Sequence, residues 1–234
     1  MKCLGVIGGL GPMATALFYQ MVTEMTEART DQEHIELLIH SCPKISDRSS
    51  YILGTSRESP AVSMAAVGRK LAEHGADFIV VPCITAGCFY QELSEQIPVP
   101  VMDNFGEIAW YLKDRQISKI GLMAADGTVK AGLLQKELEL AGMKVLVPEE
   151  KEQQDVMHLI YQDVKAGRPP EPERFFKVIG KLKDAGAQKV LLGCTELSVI
   201  ARQLGGEPNC MDALAILARR TVQLCGKLGK SYEI

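Results

Sequence analysis

The stretch Gly75-Ala76-Asp77-Phe78-Ile79-Val80-Val81-Pro82-Cys83 recurs 111 positions later as Gly186-Ala187-Gln188-Lys189-Val190-Leu191-Leu192-Gly193-Cys194. Each copy is an apolar run that ends at a cysteine, and Lys70-Leu71 and Lys181-Leu182 keep the same offset. We interpret this repeat as two similar α/β halves; a chance likeness between α/β units is the alternative. The predicted first half comprises residues 1–102 with 210–234, and the predicted second half comprises residues 103–209.

Short apolar runs alternate with longer amphipathic stretches along the chain. The predicted strands are Leu4–Gly8, 35–40, 78–81, 99–102, Lys119–Met123, 144–147 and 190–192. The predicted helices are 13–28, 60–74, 129–140, 153–165, 174–185 and 213–228. This alternation predicts an α/β fold with parallel sheets that carry helices on both faces.

The overall composition is that of an ordinary globular protein and excludes several classes. The chain has 234 residues, of which 47% are hydrophobic, and its formal net charge is -3. Because Lys and Arg (26) do not exceed Asp and Glu (29), nothing favours a nucleic-acid partner. No apolar run approaches the roughly 20 residues that a membrane helix needs, so no membrane association is expected.

Seven cysteines are the unusual part of the composition. Their odd number, their wide spacing and the lack of a secretory signal argue against a disulfide framework and predict a reducing, cytoplasmic location. Five of them are predicted to be packing residues, namely Cys3, Cys42, Cys88, Cys210 and Cys225.

Cys83 and Cys194 each follow a predicted strand and precede a helical pattern. Ligands bind at the carboxyl ends of parallel strands, and a helix N-terminus stabilises a thiolate. If the two halves face each other, one thiolate can remove a proton from a carbon while the other thiol protonates its opposite face. A metal site would lack further ligands at suitable spacing, and a redox pair would lack the Cys-x-x-Cys motif. Two buried structural cysteines are the remaining alternative.

Three motifs resemble the aspartate/glutamate racemase family over nearly the whole chain. They are Gly8-Gly9-Leu10-Gly11-Pro12-Met13-Ala14-Thr15, Pro82-Cys83-x-Thr85-Ala86 and Leu192-Gly193-Cys194-Thr195-Glu196-Leu197. The resemblance implies two pseudosymmetric, flavodoxin-like α/β domains with the active site in the cleft between them. It also implies a homodimer that racemises a small amino acid without a cofactor or a metal, with Cys83 and Cys194 as catalytic residues.

Two positions depart from the family motif Pro-Cys-Asn-Thr-Ala-His. Ile84 replaces the Asn and Gly87 replaces the His. In the family, that Asn helps to hold the α-amino and α-carboxylate groups of the substrate, and Ile84 offers no such hydrogen bond. A polar site that loses a partner loses much of its affinity, so an altered amino acid or another small carboxylate is an open alternative.

The glycine-rich segment after the first strand is a candidate binding loop. Gly9-x-Gly11-x-x-Ala14 also fits a loose dinucleotide fingerprint, but the second predicted strand ends in His40-Ser41-Cys42 rather than in an acid. We therefore expect Gly9, Gly11 and Met13 to surround a substrate carboxylate, to which Thr15 adds a hydroxyl. A tight turn without a ligand is the alternative.

Two basic residues are candidates for reading a second carboxylate. Arg48 ends a segment that resembles the family loop Pro-Asp-Arg, with Ser46 in place of the Pro, and its planar fork suits a carboxylate. Lys165 matches a family lysine that meets the substrate. A surface arginine, and a lysine placed at a helix end for the helix dipole, are the structural alternatives.

The remaining candidates are polar residues next to the two cysteines. Thr85 and Thr195 are expected to donate hydroxyls to the substrate, and Glu196 to orient the Cys194 thiol or the substrate ammonium. An N-cap role is the alternative for Glu196. The four histidines show no metal-ligand spacing.

Together these observations predict a racemase of aspartate or glutamate that exchanges protons between two thiols. An isomerase or decarboxylase of a small dicarboxylate is the nearest alternative, although a decarboxylase would need one of the cysteines only. A non-catalytic carboxylate-binding protein on the same fold is the alternative from another class.

Overall fold

Two parallel sheets form the frame of the protein. The computed structural model describes residues 2–229. The first sheet has the order β2-β1-β3, and the second has the order β5-β4-β6-β7. The strands are β1 Leu4–Gly8, β2 Leu37–Ser41, β3 Phe78–Val80, β4 Lys119–Met123, β5 Lys144–Leu146, β6 Lys189–Leu192 and β7 Cys210–Asp212. The predicted α/β class with two parallel sheets is confirmed.

Helices connect the strands and cover the sheets. They are α1 Pro12–Met25, α2 Arg48–Ile52, α3 Pro60–Glu73, α4 Tyr90–Gln96, α5 Asn104–Asp114, α6 Asp126–Ala131, α7 Leu133–Leu140, α8 Glu150–His158, α9 Pro172–Asp184, α10 Thr195–Gln203 and α11 Ala213–Cys225. Two 3₁₀ turns, Asp31–Glu33 and Ile84–Phe89, and one π turn, Leu159–Val164, complete the described elements.

The apolar pattern of each element matches the surface that it buries. All five residues of β1 are buried, as expected for a parallel strand that is covered on both faces. On α9 the buried residues are Phe175, Val178, Ile179 and Leu182, which recur at helical spacing and form one stripe. Burial of such stripes against the sheets supplies most of the folding free energy.

Among the differences from the prediction are two predicted elements and one strand that was not predicted. Residues 99–102 do not form a strand, because Pro98 and Pro100 donate no backbone hydrogen bond; Val101 makes a single bridge to Ile79. The predicted helix 129–140 is divided into α6 and α7 at Gly132, whose φ of 67° lies in the left-handed region. Strand β7 was not predicted, since its three residues carry no apolar pattern.

The C-terminal helix α11 packs against both α1 and α5 and so connects elements that are distant in sequence. Strand β7, just before it, pairs with β6 in the second sheet. The proposed division into residues 1–102 with 210–234 and residues 103–209 stays a prediction. No helix in the part of the chain that the structure describes is both long and apolar enough to cross a membrane.

Candidate active site

Cys83 and Cys194 line the same small cavity between the two sheets. Each cysteine follows a strand of its own sheet, β3 or β6, and occupies the N-cap position of the turn or helix that comes next. Both are buried. The cavity leaves about 10 Å³, which is room for about one water molecule. The two thiols therefore lie at one closed site.

The Cys194 thiol is hydrogen-bonded to a carboxylate. Its Sγ donates to Oε2 of Glu196 over 3.0 Å. Burial raises the pKa of Cys194 well above its usual value, and the adjacent Glu196 charge raises it further, against the opposing charge of Lys165. In this arrangement Cys194 is a protonated thiol, and the carboxylate that orients it is the one that the sequence singled out.

Arg48 lies beside Cys83 and is held in place by backbone carbonyls. Its Nη1 donates to Ser46 O at 3.0 Å and to Ile45 O at 3.4 Å, and its Nη2 donates to Leu10 O at 3.2 Å. Among the described residues, none accepts a hydrogen bond from its buried Nε. A buried donor without an acceptor is costly, so this N–H is suited to an anionic ligand.

The charge of Arg48 is balanced by three groups. Burial lowers the pKa of its guanidinium, but Cys83, Asp47 and Glu196 outweigh burial and raise that pKa overall. The Cys83 sulfur thus lies beside a cation, whereas the Cys194 thiol is hydrogen-bonded to an anion. The two sulfurs of the site have opposite electrostatic neighbours.

Lys165 reaches the same cavity from the end of the π turn. Its Nζ lies 3.3 Å from Oδ2 of Asp47 and 4.0 Å from the centre of the Tyr161 ring. Burial lowers the pKa of Lys165, but Glu196, Tyr161, Cys194 and Asp47 raise it overall, so the lysine is charged. Its ion pair with Asp47 connects the two halves of the site.

The glycine loop borders a larger, open pocket outside the closed cavity. This pocket has a volume of about 510 Å³, and Gly9, Gly11 and Met13 line it together with Arg48, Lys165 and Glu196. Gly9 has a φ of 89°, and a Cβ there would lie 2.5 Å from the backbone N of Cys42. The loop therefore requires glycine at this position.

Thr15 lies behind the glycine loop and lines neither the open pocket nor the closed cavity. Its Oγ1 accepts from Gly9 N at 2.9 Å and donates to Gly11 O at 3.0 Å. The hydroxyl that was expected to meet the substrate is thus used to brace the loop. Its predicted role toward the substrate stays a prediction.

The two threonines that follow the cysteines differ in their partners. Thr85 Oγ1 lies 2.9 Å from Thr128 Oγ1, which belongs to α6 across the cleft. Thr195 Oγ1 donates to Glu196 Oε2 over 3.3 Å. Both line the closed cavity, as does the fully buried Ile84.

Gly87, the other departure from the family motif, is explained by packing. A Cβ at Gly87 would lie 2.6 Å from the ring of Phe105. The ring of this buried phenylalanine therefore occupies the space beside the turn, and a histidine at residue 87 would require it to move.

Three residues of the site were not singled out in the sequence. Asp47 and Tyr161 line the closed cavity, and the Tyr161 hydroxyl donates to Oδ1 of Asp47 over 3.2 Å. Asn104 donates through Nδ2 to Val81 O at 2.9 Å and to Cys83 O at 3.2 Å, and so positions the Cys83 turn. An N-cap pattern, Asp47 three residues before Ser50, was a signal that could have found Asp47.

The ligand atoms of His158, Asp163 and Glu171 converge closely enough for a metal ion within the described part of the chain. These residues do not line the closed cavity. Inside the cavity, the polar groups are thiols, hydroxyls, carboxylates and two cations. This set is suited to binding a small charged molecule and to moving protons.

Comparison with known proteins gives consistent relatives. Over 225 residues the chain is 25% identical to the broad specificity amino-acid racemase RacX of Bacillus subtilis, covering 94% of this chain and 96% of that protein. It is 26% identical over 172 residues to a glutamate racemase of Deinococcus radiodurans, covering 68% of this chain and 57% of that protein. The structure of Picrophilus torridus aspartate racemase superposes with a TM-score of 0.85 at 26% identity, covering 99% of this chain and 98% of that one.

The family model described as Asp/Glu/Hydantoin racemase matches residues 7–221. That match spans both sheets, both cysteines and the glycine loop. The chain therefore belongs to the Asp/Glu/hydantoin racemase family and is an isomerase.

Proposed function

We propose that the protein is a cofactor-independent racemase of an acidic amino acid, aspartate or glutamate, in which Cys83 and Cys194 exchange the α-proton. One observation carries the proposal: both thiols line a single closed cavity together with the buried Arg48. Family membership supplies the reaction class, and the racemases among the relatives support an amino acid as the substrate.

The opposite neighbours of the sulfurs give each thiol a role. Cys83, beside Arg48, removes the α-proton as a thiolate, and Cys194 delivers its proton to the opposite face of the carbon. The proton taken up makes Cys83 a thiol and leaves Cys194 as the thiolate, so the enzyme is then ready for the other enantiomer. Glu196 orients the Cys194 thiol in the first of these states.

The charged residues favour a substrate with two carboxylates. The backbone N–H groups of the loop at Gly9 and Gly11 are expected to hold the α-carboxylate. The free Nε–H of Arg48 and the charged Lys165 are expected to receive the distal carboxylate. Thr85, Thr195 and Ile84 close the cavity around the α-carbon.

Hydrogen exchange tests the two-thiol scheme. The protein is incubated with each enantiomer of aspartate and glutamate in deuterium oxide, and loss of the α-proton signal is followed by NMR. Because general acid–base catalysis contributes roughly 10²–10⁴-fold, Cys83→Ser and Cys194→Ser should each slow racemisation at least about 100-fold. Cys210→Ser, which changes a cysteine outside the cavity, should leave the rate unchanged.

Two results would overturn the scheme. Full activity of either serine variant would remove that cysteine from the mechanism. No exchange with any amino acid would reject the racemase and favour the second candidate below.

The second candidate is an isomerase of a small dicarboxylate or a carboxylate-binding protein. The buried Ile84 favours it, because this side chain cannot hold an α-ammonium group by a hydrogen bond. Ile84→Asn tests this argument: if aspartate or glutamate turnover does not improve, Ile84 does not determine the substrate.

A further inference from the structure

Three side chains of different types converge on the outer side of the segment that carries Lys165. His158 ends α8, Asp163 lies in the π turn, and Glu171 immediately precedes α9. One ligand atom from each lies within 4.8 Å of the other two. His158 Nε2 is 3.4 Å from Asp163 Oδ1 and 3.3 Å from Glu171 Oε1.

The two separations from His158 Nε2 match those between ligands of a tetrahedral ion. With bonds of about 2.0–2.1 Å, two atoms at tetrahedral positions lie about 3.3–3.4 Å apart. One imidazole nitrogen and two carboxylate oxygens form a ligand set that zinc accepts, with water in the fourth position.

The second oxygen of each carboxylate is already held by a donor. Glu171 N donates to Asp163 Oδ2 over 3.2 Å, and Arg174 Nε donates to Glu171 Oε2 over 3.0 Å. Such outer contacts orient ligating carboxylates in metal sites. They leave Asp163 Oδ1 and Glu171 Oε1 directed at the same histidine nitrogen.

Burial distinguishes this group from an ordinary surface ion pair. The Asp163 side chain is only 6% exposed, while the side chains of His158 and Glu171 are 36% and 52% exposed. A buried carboxylate needs a cationic partner. The exposed side of the group leaves a path by which an ion can enter.

We propose that His158, Asp163 and Glu171 form a Zn²⁺ site that is separate from the catalytic cavity. The ion binds through His158 Nε2, Asp163 Oδ1 and Glu171 Oε1. It fastens the start of α9 to the end of α8 and thereby fixes the intervening segment, which carries Tyr161 and Lys165 into the cavity. Zinc binding at this site does not depend on the proposed racemase activity.

Calorimetric titration of the full chain, without an affinity tag, with zinc chloride tests binding directly. The expected result is one ion per chain, with affinity at least tenfold weaker in His158→Gln and in Glu171→Gln. His74→Gln is the matched control, because His74 is an exposed histidine on the opposite half and should leave the affinity unchanged.

Cobalt(II) identifies the ligands, because thiolate coordination gives an intense near-ultraviolet absorption that N/O coordination lacks. The proposal expects no such band. Three results would each overturn the proposal. The first is no zinc binding up to about 1 mM, a rough upper limit for a useful site. The others are equal binding by His158→Gln and a thiolate band that accounts for all bound metal. If His158 only forms ion pairs with Asp163 and Glu171, no zinc binding would be observed.

Hydrogen–deuterium exchange reads the effect on the fold in the absence of substrate. Zinc should slow amide exchange in residues 158–171 of the wild type and not in His158→Gln. Unchanged exchange in this segment, despite saturating zinc, would overturn the fastening role. Since neither measurement uses catalysis, failure here and failure of the proposed racemase are distinguishable.

Discussion

The two sulfurs of the cavity differ in what surrounds them rather than in their position. Cys194 donates to Glu196, and the buried guanidinium of Arg48 interacts with Cys83. Both follow a strand and both are buried, so the near-symmetric backbone carries asymmetric electrostatics. Burial and the Glu196 charge raise the pKa of Cys194, so Cys194 carries its proton in the substrate-free site.

Glu196→Gln tests this assignment. The substitution removes the negative charge that helps to raise the pKa of Cys194, while burial, the larger cause, remains. The pKa of Cys194 should therefore fall relative to wild type. The pH dependence of Cys194 alkylation, followed residue by residue by mass spectrometry, measures it.

Glu207→Gln provides the matched control. Burial and then the Glu207 charge raise the pKa of Cys210 to about 12. This variant should lower the pKa of Cys210, as read from its alkylation, and leave the pKa of Cys194 as in wild type. An unchanged pKa of Cys194 in Glu196→Gln would show that the carboxylate does not govern this thiol.

At the scale of single residues, the sequence predicts which side chains can react better than it predicts which residues are in contact. The matched pair Cys83 and Cys194 was visible as a repeat, because residue type and spacing are properties of the chain. The contact between Arg48 and the carbonyl of Leu10 joins residues 38 positions apart and depends on how a loop folds back. The glycine at residue 87 is likewise explained by its close approach to the ring of Phe105, a contact that no local sequence pattern reveals.

Among the elements, α2 is fixed to the second half of the chain by its N-cap. Asp47 accepts from Ser50 N at 2.8 Å, and its carboxylate also accepts from Tyr161 and pairs with Lys165. Burial raises the pKa of Asp47, but the Ser50 N–H, Lys165 and Arg48 outweigh burial and lower it overall. One carboxylate thus caps a helix and connects it to the π turn.

Asp47→Asn should lower stability in a pH-dependent way. Because the pKa of Asp47 is lower in the folded state, its charge stabilises the fold above the unfolded value of about 3.9 and loses that effect as pH falls through the folded value. Asparagine keeps one capping oxygen, but it removes the charge and the second oxygen, which accepts from Lys165. The melting-temperature difference from wild type should be present at neutral pH and shrink below about pH 4.

Asp114→Asn is the comparison variant. The Asp114 side chain is 61% exposed, and among the described residues its ion pair is with Arg115, at 3.7 Å. It should change the melting temperature little at any pH. A difference for Asp47→Asn that persists unchanged at pH 3 would contradict the electrostatic explanation.

The errors in the predicted elements have physical causes. Continuous apolar runs identified β1 and β4, because parallel strands are buried on both faces. The run at 99–102 has the same apolar character, but its prolines prevent a ladder. Strand β7 is three residues long and too short to show a period, and only its pairing with β6 makes it a strand.

On the scale of the whole molecule, a pair of buried hydroxyls joins the two sides of the cleft. Thr85 lies beside the first sheet and Thr128 beside the second, with 2.9 Å between their Oγ1 atoms. Neither side chain is open to solvent, since their exposed fractions are 6% and 0%. Each buried hydroxyl therefore supplies the hydrogen-bond partner of the other.

Thr128→Val should destabilise the protein by about 1–3 kcal/mol, because it leaves the buried Thr85 hydroxyl unpaired. Thr85→Val/Thr128→Val should recover much of that loss, since both partners are then apolar and of similar shape. Urea unfolding of the wild type, both single variants and the double variant gives the coupling free energy. Additive losses would show that the hydroxyls do not interact.

The repeat predicted two similar halves and a shared cleft, but not how tightly that cleft closes. Closure depends on contacts between the halves, such as Ser49 against Gly127, where a Cβ would lie 2.6 Å from the Ser49 Cα. These surfaces have no periodic signature in the chain. The volume of the cavity is therefore known only from the folded structure.

A cavity with room for about one water molecule also limits the access of oxidants to its sulfurs. Thiolates that solvent reaches are oxidised by peroxide to sulfenic and then to irreversible acids. Because Cys83 and Cys194 are both buried and adjoin this small space, peroxide in solution reaches their sulfurs poorly in this structure.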